Sequence, residues 1–300
     1  MLDIKKDLME IIPPEKILIN QSLAPYTTFK IGGPAGILLL PSTNKEIKHA
    51  LEISWQKKLP YYVLGRGSNV LIDDKGLKGL VIYLGENYQS IEVNGHVIRA
   101  KSGVSLKEIS VRATANGLAG LEFARGIPGS LGGAVYMNAG AFDCYMQNLV
   151  ENVVTLTDKG KIVYYSRPEI EFDYRWSSFQ QKSEIILEVT LSLQKGKKDW
   201  IEQRMQEMMQ RRESKQPLEY PSAGSIFKRP EGYFAGKLIQ DSGLKGYTIG
   251  GAQVSQKHSG FIVNKGNATS EDVKKLVDYI QNTVYQKFGV QLERELKYLD

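Results

Sequence analysis

The sequence predicts an α+β fold in three lobes, on three observations. Short apolar strands alternate with an amphipathic helix near the start, tight hairpin links dominate the middle, and a proline-containing hinge follows residue 200. The divisions fall at 1–85, 86–205 and 206–300, and the last strand is free to return to the first lobe.

In the first lobe, "ILLL" at 37–40 has the unbroken apolar run of a buried strand, and "YYVL" at 61–64 reads as another. Between them, "STNKEIKHALEISWQKK" at 42–58 repeats Ile47, Ala50, Leu51 and Ser54 on one helical face. The middle lobe opens with "IEVNGHVIRA" at 91–100, whose Asn-Gly pair is a two-residue hairpin link. Ser105 and Glu108 have capping-box spacing and open a helix that stops at Asn116–Gly117. "LVENVVTLTDKGKIVYY" at 149–165 is a second hairpin, and "EIILEVTLSLQ" at 184–194 a long strand. A Met-rich amphipathic helix, "DWIEQRMQEMMQRRE", leads to the hinge "KQPLEYPSAGSIFKRP" at 215–230. The third lobe should hold a short helix at "FAGKLIQDSG" (234–243) and strands at 247–255 and 261–264. A helix opened by "TSED" then runs to Gly289, and a last strand, "LERELKYL" at 292–299, puts Glu293, Glu295 and Lys297 on one face.

Composition excludes several classes of function. A chain of 300 residues with 42% hydrophobic content can bury ordinary globular cores. Its longest apolar run, "GILLLP" at 36–41, is far short of the ~20 residues of a membrane span, and "MLDIKKDLMEII" has no signal-peptide pattern, so a cytoplasmic protein is expected. Cys144 is the only cysteine, and His49, His96 and His258 are scattered without metal-ligand spacing, so no metal site is expected. The net charge of +6 is spread among acids along most of the chain, which argues against nucleic acid and suits a small phosphorylated ligand.

Neither standard phosphate-binding device is present. "LGRGSNVLI" at 64–72 fails the G-x-G-x-x-G pattern because position 70 is Val and a strand follows, and "EGYFAGK" lacks the first glycine of a P-loop. What remains are two glycine-rich turns, "GRGSN" at 65–69 and "RGIPGSLGGAVYMNAG" at 125–140, each able to turn successive backbone N–H groups toward an anion. So many glycines imply left-handed backbone or a ligand lying directly against the main chain.

These stretches, with "GLEFARGIPGSLGGAVYMNAGA", "YRWSSF", "SAGSIFKRP", "AGKLIQDSGLKGYTIGGAQVS" and "EREL", occur in order over nearly the whole chain. Together they resemble the UDP-N-acetylenolpyruvoylglucosamine reductases, FAD-dependent enzymes of peptidoglycan precursor synthesis. The resemblance implies a two-subdomain FAD-binding domain of the PCMH/vanillyl-alcohol-oxidase type, followed by a smaller α/β substrate-binding domain. It implies that Gly65, Arg66, Gly67, Ser68 and Asn69 cradle the FAD pyrophosphate. Cofactor contacts are also implied for Arg125, Gly126, Ile127, Pro128, Gly129, Ser130, Gly132 and Gly133, and for Asn138, Ala139 and Gly140. Without a His in "GRGSN" and with Cys144 outside the core motif, the flavin should be non-covalent.

The family reaction reduces the enolpyruvyl ether of UDP-N-acetylglucosamine to a lactyl ether, with NADPH as reductant. Charge pushed into the substrate carboxylate must be stabilised, and Arg175 in "DYRWSSF" matches the family arginine for this. An exposed ion pair with Asp173 or Glu171 is the competing reading of that residue. Ser225 in "SAGSIF" matches the family's general acid, and nothing in its local sequence marks it. Glu295 in "LEREL" matches the family glutamate near the protonated carbon; a strand-edge charge ladder is its plainer explanation. Lys297 stands where many relatives carry Arg, and Arg229 where a longer subclass has Asn; with Lys228 they are the expected substrate-binding cations. The chain looks like the compact subclass, which lacks the substrate-covering insertion with its tyrosine. The expected partners are UDP-N-acetylenolpyruvoylglucosamine and NADPH, with no nucleic acid or membrane, and the protein is expected to be a monomer or weak oligomer. Two other readings stay open: a flavin-dependent alcohol or sugar oxidase of the same superfamily, and a non-catalytic phosphate- or RNA-binding module.

Overall fold

A computed structural model describes residues 2–300. The chain divides into two compact units, each assembled from three separate stretches. The first takes residues up to Asn20, Gly36–Arg66 and Lys78–Gln210; the second takes Gln21–Ala35, Gly67–Leu77 and Arg211–Asp300.

The first unit contains two main sheets and, among the described residues, three short two-stranded pairs. In the smaller, the order is Ile17–Ser22, Pro34–Leu39, Leu77–Tyr83 and Tyr61–Leu64, the last two parallel. The helix Asn44–Gln56 covers it because Ile47, Ala50, Leu51 and Ile53 recur on one face and join Ile37, Leu39, Leu80 and Ile82 in a buried cluster. Thr43 caps that helix, its Oγ1 accepting from the Glu46 N–H at 3.2 Å. The larger sheet is wholly antiparallel, in the order Ile162–Ser166, Val150–Thr157, Glu184–Ser192, Val97–Lys101 and Ile91–Asn94. Both hairpins expected from the sequence are in it. The helix Leu106–Ala115 begins at Ser105, whose Oγ accepts from Glu108 N at 3.0 Å, and packs Leu106, Ile109 and Ala113 into a cluster with Ile98, Val153 and Val189.

The glycine-rich turn differs from its sequence reading. Residues Leu131–Tyr136 form a short helix, with Ser130 as its cap at 3.4 Å from Gly133 N. Two backbone bonds fasten its start, Leu131 N to Val104 O at 2.8 Å and Gly132 N to Ser102 O at 2.9 Å. The two glycines suggested a turn because their helix propensity is poor; tertiary hydrogen bonds override it.

In the second unit, an antiparallel sheet runs Ser222–Ser225, Phe261–Asn264, Ala252–Val254 and Thr248–Ile249. The helices Ala235–Asp241 and Ser270–Phe288 bury Leu238, Ile239, Val273, Leu276, Val277 and Ile280 with Ala252, Val254 and Ile262. The longer helix opens with a complete capping box between Thr269 and Asp272.

The predicted last strand is corrected. Only Lys297–Leu299 is strand, paired parallel to Val70–Ile72, and before it Arg294 makes an isolated bridge to Phe227. Leu292 and Leu296 are both buried, four residues apart, whereas Glu293 and Arg294 are exposed and Glu295 half-buried. The segment therefore does not alternate with period two, and Glu293, Glu295 and Lys297 share no strand face.

Candidate active site

In the first unit the structure brings the two glycine-rich turns together. A Cβ on Gly65 would lie 2.4 Å from Ser130 Oγ, so only glycine lets the loop pass this close. Ser130 itself is buried and bridges to Ser105, while Leu106 N donates to Gly129 O at 3.0 Å. Arg66 places Nη1 3.2 Å from Glu86, and its buried Nε has no hydrogen-bond partner among the described residues. Arg125 is half-buried and donates through Nη1 to the Met205 thioether at 3.0 Å. Gly126 and Ile127 are half-buried, Pro128 is exposed, and Gly129 and Gly132 are buried.

Asn138 faces inward. It is 1% exposed, in the left-handed region at φ 42°, and its amide donates to Gln147 Oε1 (2.8 Å) and Asp173 O (2.9 Å). Its Oδ1 accepts from Gln147 N at 3.0 Å. Both side-chain donors are thus spent on protein; Ala139 and Gly140 beside it are half-buried.

Arg175 occupies the two-residue link between Phe172–Asp173 and Trp176–Ser177, at φ 56°. Its guanidinium lies 4.9 Å from the Tyr174 ring centroid and donates through Nη2 to Gly140 O at 3.2 Å. A residue absent from the sequence reading, Gln180, donates to both Tyr136 O (2.9 Å) and Arg175 O (3.1 Å).

In the second unit the end of the "GRGSN" loop meets the C-terminal residues. Asn69 Nδ2 donates to Glu295 O at 3.1 Å, and Asn69 O accepts from Lys297 N at 3.1 Å. Glu295 N in turn donates to Ile226 O at 2.8 Å, next to Ser225. Ser225 ends its strand at a register shift, three residues from Ser222 on one strand facing two on the other. Such a bulge re-aims a side chain away from the regular pleat. Thr28, also missed in the sequence, joins the same assembly: its N–H donates to Gly67 O (3.1 Å) and its hydroxyl to Ser222 O (2.7 Å). The pattern "TTFKIGG" with its paired glycines was the available signal.

The three cations differ. Lys228 pairs with Glu293 at 2.6 Å, and the guanidinium of exposed Arg229 stacks 4.0 Å from the Phe234 centroid. Lys297 is exposed as a whole, yet desolvation, followed by the Lys228 charge, pushes its ammonium pKa below the usual lysine value.

The chain is similar to known proteins along most of its length. Residues 35–166 match the family model "FAD binding domain", and residues 216–299 match "UDP-N-acetylenolpyruvoylglucosamine reductase, C-terminal domain". A UDP-N-acetylenolpyruvoylglucosamine reductase of Caldanaerobacter subterraneus subsp. tengcongensis is 48% identical over 97% of this chain and 96% of its own length. The chain belongs to the UDP-N-acetylenolpyruvoylglucosamine reductase family. The reductase of Alkaliphilus oremlandii is 46% identical, again over 97% of this chain and 96% of its own. Among solved structures, the reductase of Thermus caldophilus is 37% identical with a TM-score of 0.82, covering 95% of this chain and 98% of that one. An alkyldihydroxyacetonephosphate synthase, 12% identical, superposes with a TM-score of 0.51 over 65% of this chain and 41% of its own, a likeness of fold. The reductase-family chain thus has the α+β, PCMH/vanillyl-alcohol-oxidase-type FAD-binding fold. Among the described residues no helix is long and apolar enough to cross a membrane, and no cluster of His, Cys, Asp and Glu is suited to a metal.

Proposed function

We propose that this protein reduces the enolpyruvyl ether of UDP-N-acetylglucosamine to UDP-N-acetylmuramate, using FAD and NADPH. The observation that carries the reading is the bond from the Asn69 amide to Glu295 O, which ties the end of a glycine-rich loop to the segment that pairs with Ile226 beside Ser225.

The residues fit an anionic dinucleotide. The loop is forced to bare backbone at Gly65 and at Gly67, where φ is 58° and a Cβ would strike Tyr26 O at 2.3 Å. The N–H groups of Arg66, Gly67 and Ser68 donate to no protein acceptor among the described residues, and Arg66 Nε is buried and unmatched. Donors of this kind suit a pyrophosphate. Gly65, Arg66, Gly67 and Ser68 are assigned to hold it, with Gly126–Ser130, Gly132, Gly133, Ala139 and Gly140 as further cofactor-facing backbone. Arg125 has no carboxylate partner among the described residues, which leaves its charge available to an anion. Bound FAD supplies two-electron transfer between NADPH and the enolpyruvyl alkene.

The chain's own residues handle charge and proton. Arg175, as a planar fork of donors, offsets the negative charge that grows in the substrate carboxylate. Ser225 Oγ gives its proton to the inner carbon, a role open to a weak acid because an enolate is a strong base. Glu295 is assigned to the same carbon, and its main chain is held on two sides by Asn69 and Ile226. Lys228, Arg229 and Lys297 are assigned to the anionic part of the UDP-sugar; the depressed pKa of Lys297 implies that an added anion there recovers electrostatic energy.

The test is anaerobic. Protein reduced with NADPH is mixed with the enolpyruvyl UDP-sugar, and the return of oxidised flavin absorbance is followed. Rapid return supports the reading. Return only on admission of air would identify an oxidase, and a protein that takes up no flavin would leave a phosphate- or RNA-binding module.

A further inference from the structure

Four of the non-glycine residues with left-handed backbone, Asn138 (φ 42°), Phe142 (55°), Asp143 (61°) and Arg175 (56°), belong to one corner of the first unit. Such conformations are sparsely populated and persist only where surrounding bonds impose them. Here the bonds are visible. The segment carrying Arg175 is fastened to residues 136–140 at four points: Asn138 Nδ2 to Asp173 O (2.9 Å), Arg175 Nη2 to Gly140 O (3.2 Å), Ser177 Oγ to Tyr136 O (2.8 Å) and Gln180 Nε2 to Tyr136 O (2.9 Å). Gln180 also holds the Arg175 carbonyl at 3.1 Å. Asn138 and Ser177 are both buried in the corner, and of the two Asn138 reaches both Gln147 and Asp173.

We propose that Asn138 is a positioning residue for Arg175: its buried amide, supported by Gln180, fixes the strained link so that the guanidinium is held ready for a carboxylate instead of ordering when one arrives. The proposal rests on the proposed reductase activity and on the role of Arg175 in it. It redirects Asn138 from the cofactor, since the side chain is buried and both of its N–H donors are already taken by Gln147 and Asp173. Phe142 and Asp143 lie in the same strained corner, between Gly140–Ala141 and Cys144–Tyr145.

Asn138→Asp keeps shape and tolerance of left-handed backbone but loses the donor. In stopped flow, the variant should retain FAD and be reduced by NADPH at the wild-type rate, while reoxidation by the enolpyruvyl UDP-sugar slows about 10- to 100-fold, the usual effect of a small misplacement. Gln180→Ala, a change outside the core, should slow reoxidation in the same direction and carries the test if Asn138→Asp fails to fold. The deciding readout is coupling: in an Arg175→Ala background, adding Asn138→Asp or Gln180→Ala should change the rate less than twofold. Equal slowing in both backgrounds, or wild-type reoxidation in the single variants, would overturn the positioning role alone. A wild-type protein not reoxidised by the substrate would remove the proposed activity, and the role with it.

Discussion

A methyl group at position 67 has nowhere to go. The backbone there is left-handed, and the added carbon would stand 2.3 Å from Tyr26 O and 2.7 Å from Thr27 Cα. Gly67→Ala should therefore shift the loop and weaken FAD retention at least about tenfold, given that left-handed strain costs roughly 1–3 kcal/mol; the flavin-to-protein absorbance ratio after gel filtration measures it. Ser225→Ala should leave reduction by NADPH intact and slow reoxidation by substrate about 10²- to 10⁴-fold, the range of general-acid effects. Wild-type reoxidation in rapid mixing would remove the serine from that role. These two residues also differ in how the sequence announces them. Glycine spacing marks Gly65 and Gly67 because a missing side chain has a local meaning. Ser225 has none, since its distinction is a bulge opposite Phe261, and the importance of Asn138 lies in bonds to residues 147 and 173. A resemblance can assign the serine a role; it gave no hint that Asn138 turns inward, or that Gln180 and Thr28 matter.

At the level of elements, the helix starts were the most readable feature. Ser105 and Thr269 each stand at a true N-cap with the expected acceptor geometry, because capping depends on residues only three apart. Thr269→Ala should destabilise the second unit by about 0.5–2 kcal/mol, the cost of a lost cap. A lower urea midpoint at unchanged slope would register it, and an unaltered midpoint would mean Asp74 suffices, since its carboxylate also accepts from Ser270 N at 2.8 Å. The two misread elements fail for the opposite reason. Helix Leu131–Tyr136 depends on carbonyls of Ser102 and Val104, about thirty residues away, and the C-terminal strand is cut short by burial of Leu296 against the second unit's own core.

For the molecule as a whole, acid sensitivity should report on His258. Its Nδ1 accepts from Gly260 N at 3.1 Å, and partial burial, opposed by a backbone hydrogen bond and reinforced by Lys215, keeps its pKa below the ordinary histidine value. The unfolded chain then binds more protons than the folded one between about pH 6.5 and the lower folded pKa, so stability falls as pH drops through that window. Urea midpoints measured from pH 7.5 to 5.5 should fall less steeply for His258→Gln than for the wild type; parallel curves would refute the assignment. Sequence neighbours predicted the hairpins well, whereas the parallel pairing of Lys297–Leu299 with Val70–Ile72 joins segments far apart in the chain, which no local pattern encodes.

That interleaving has a consequence for biogenesis. Residues 21–35 and 67–77 leave the ribosome long before residues 211–300, with which they form the second unit, are polymerised. At roughly 5–20 residues per second, the early strand Val70–Ile72 waits on the order of ten seconds or more for a mate. Nascent chains should thus acquire native structure in the first unit while Ser225 still lacks its setting, and a ribosome stalled before codon 290 should display a chain that is half complete in structure and wholly inert.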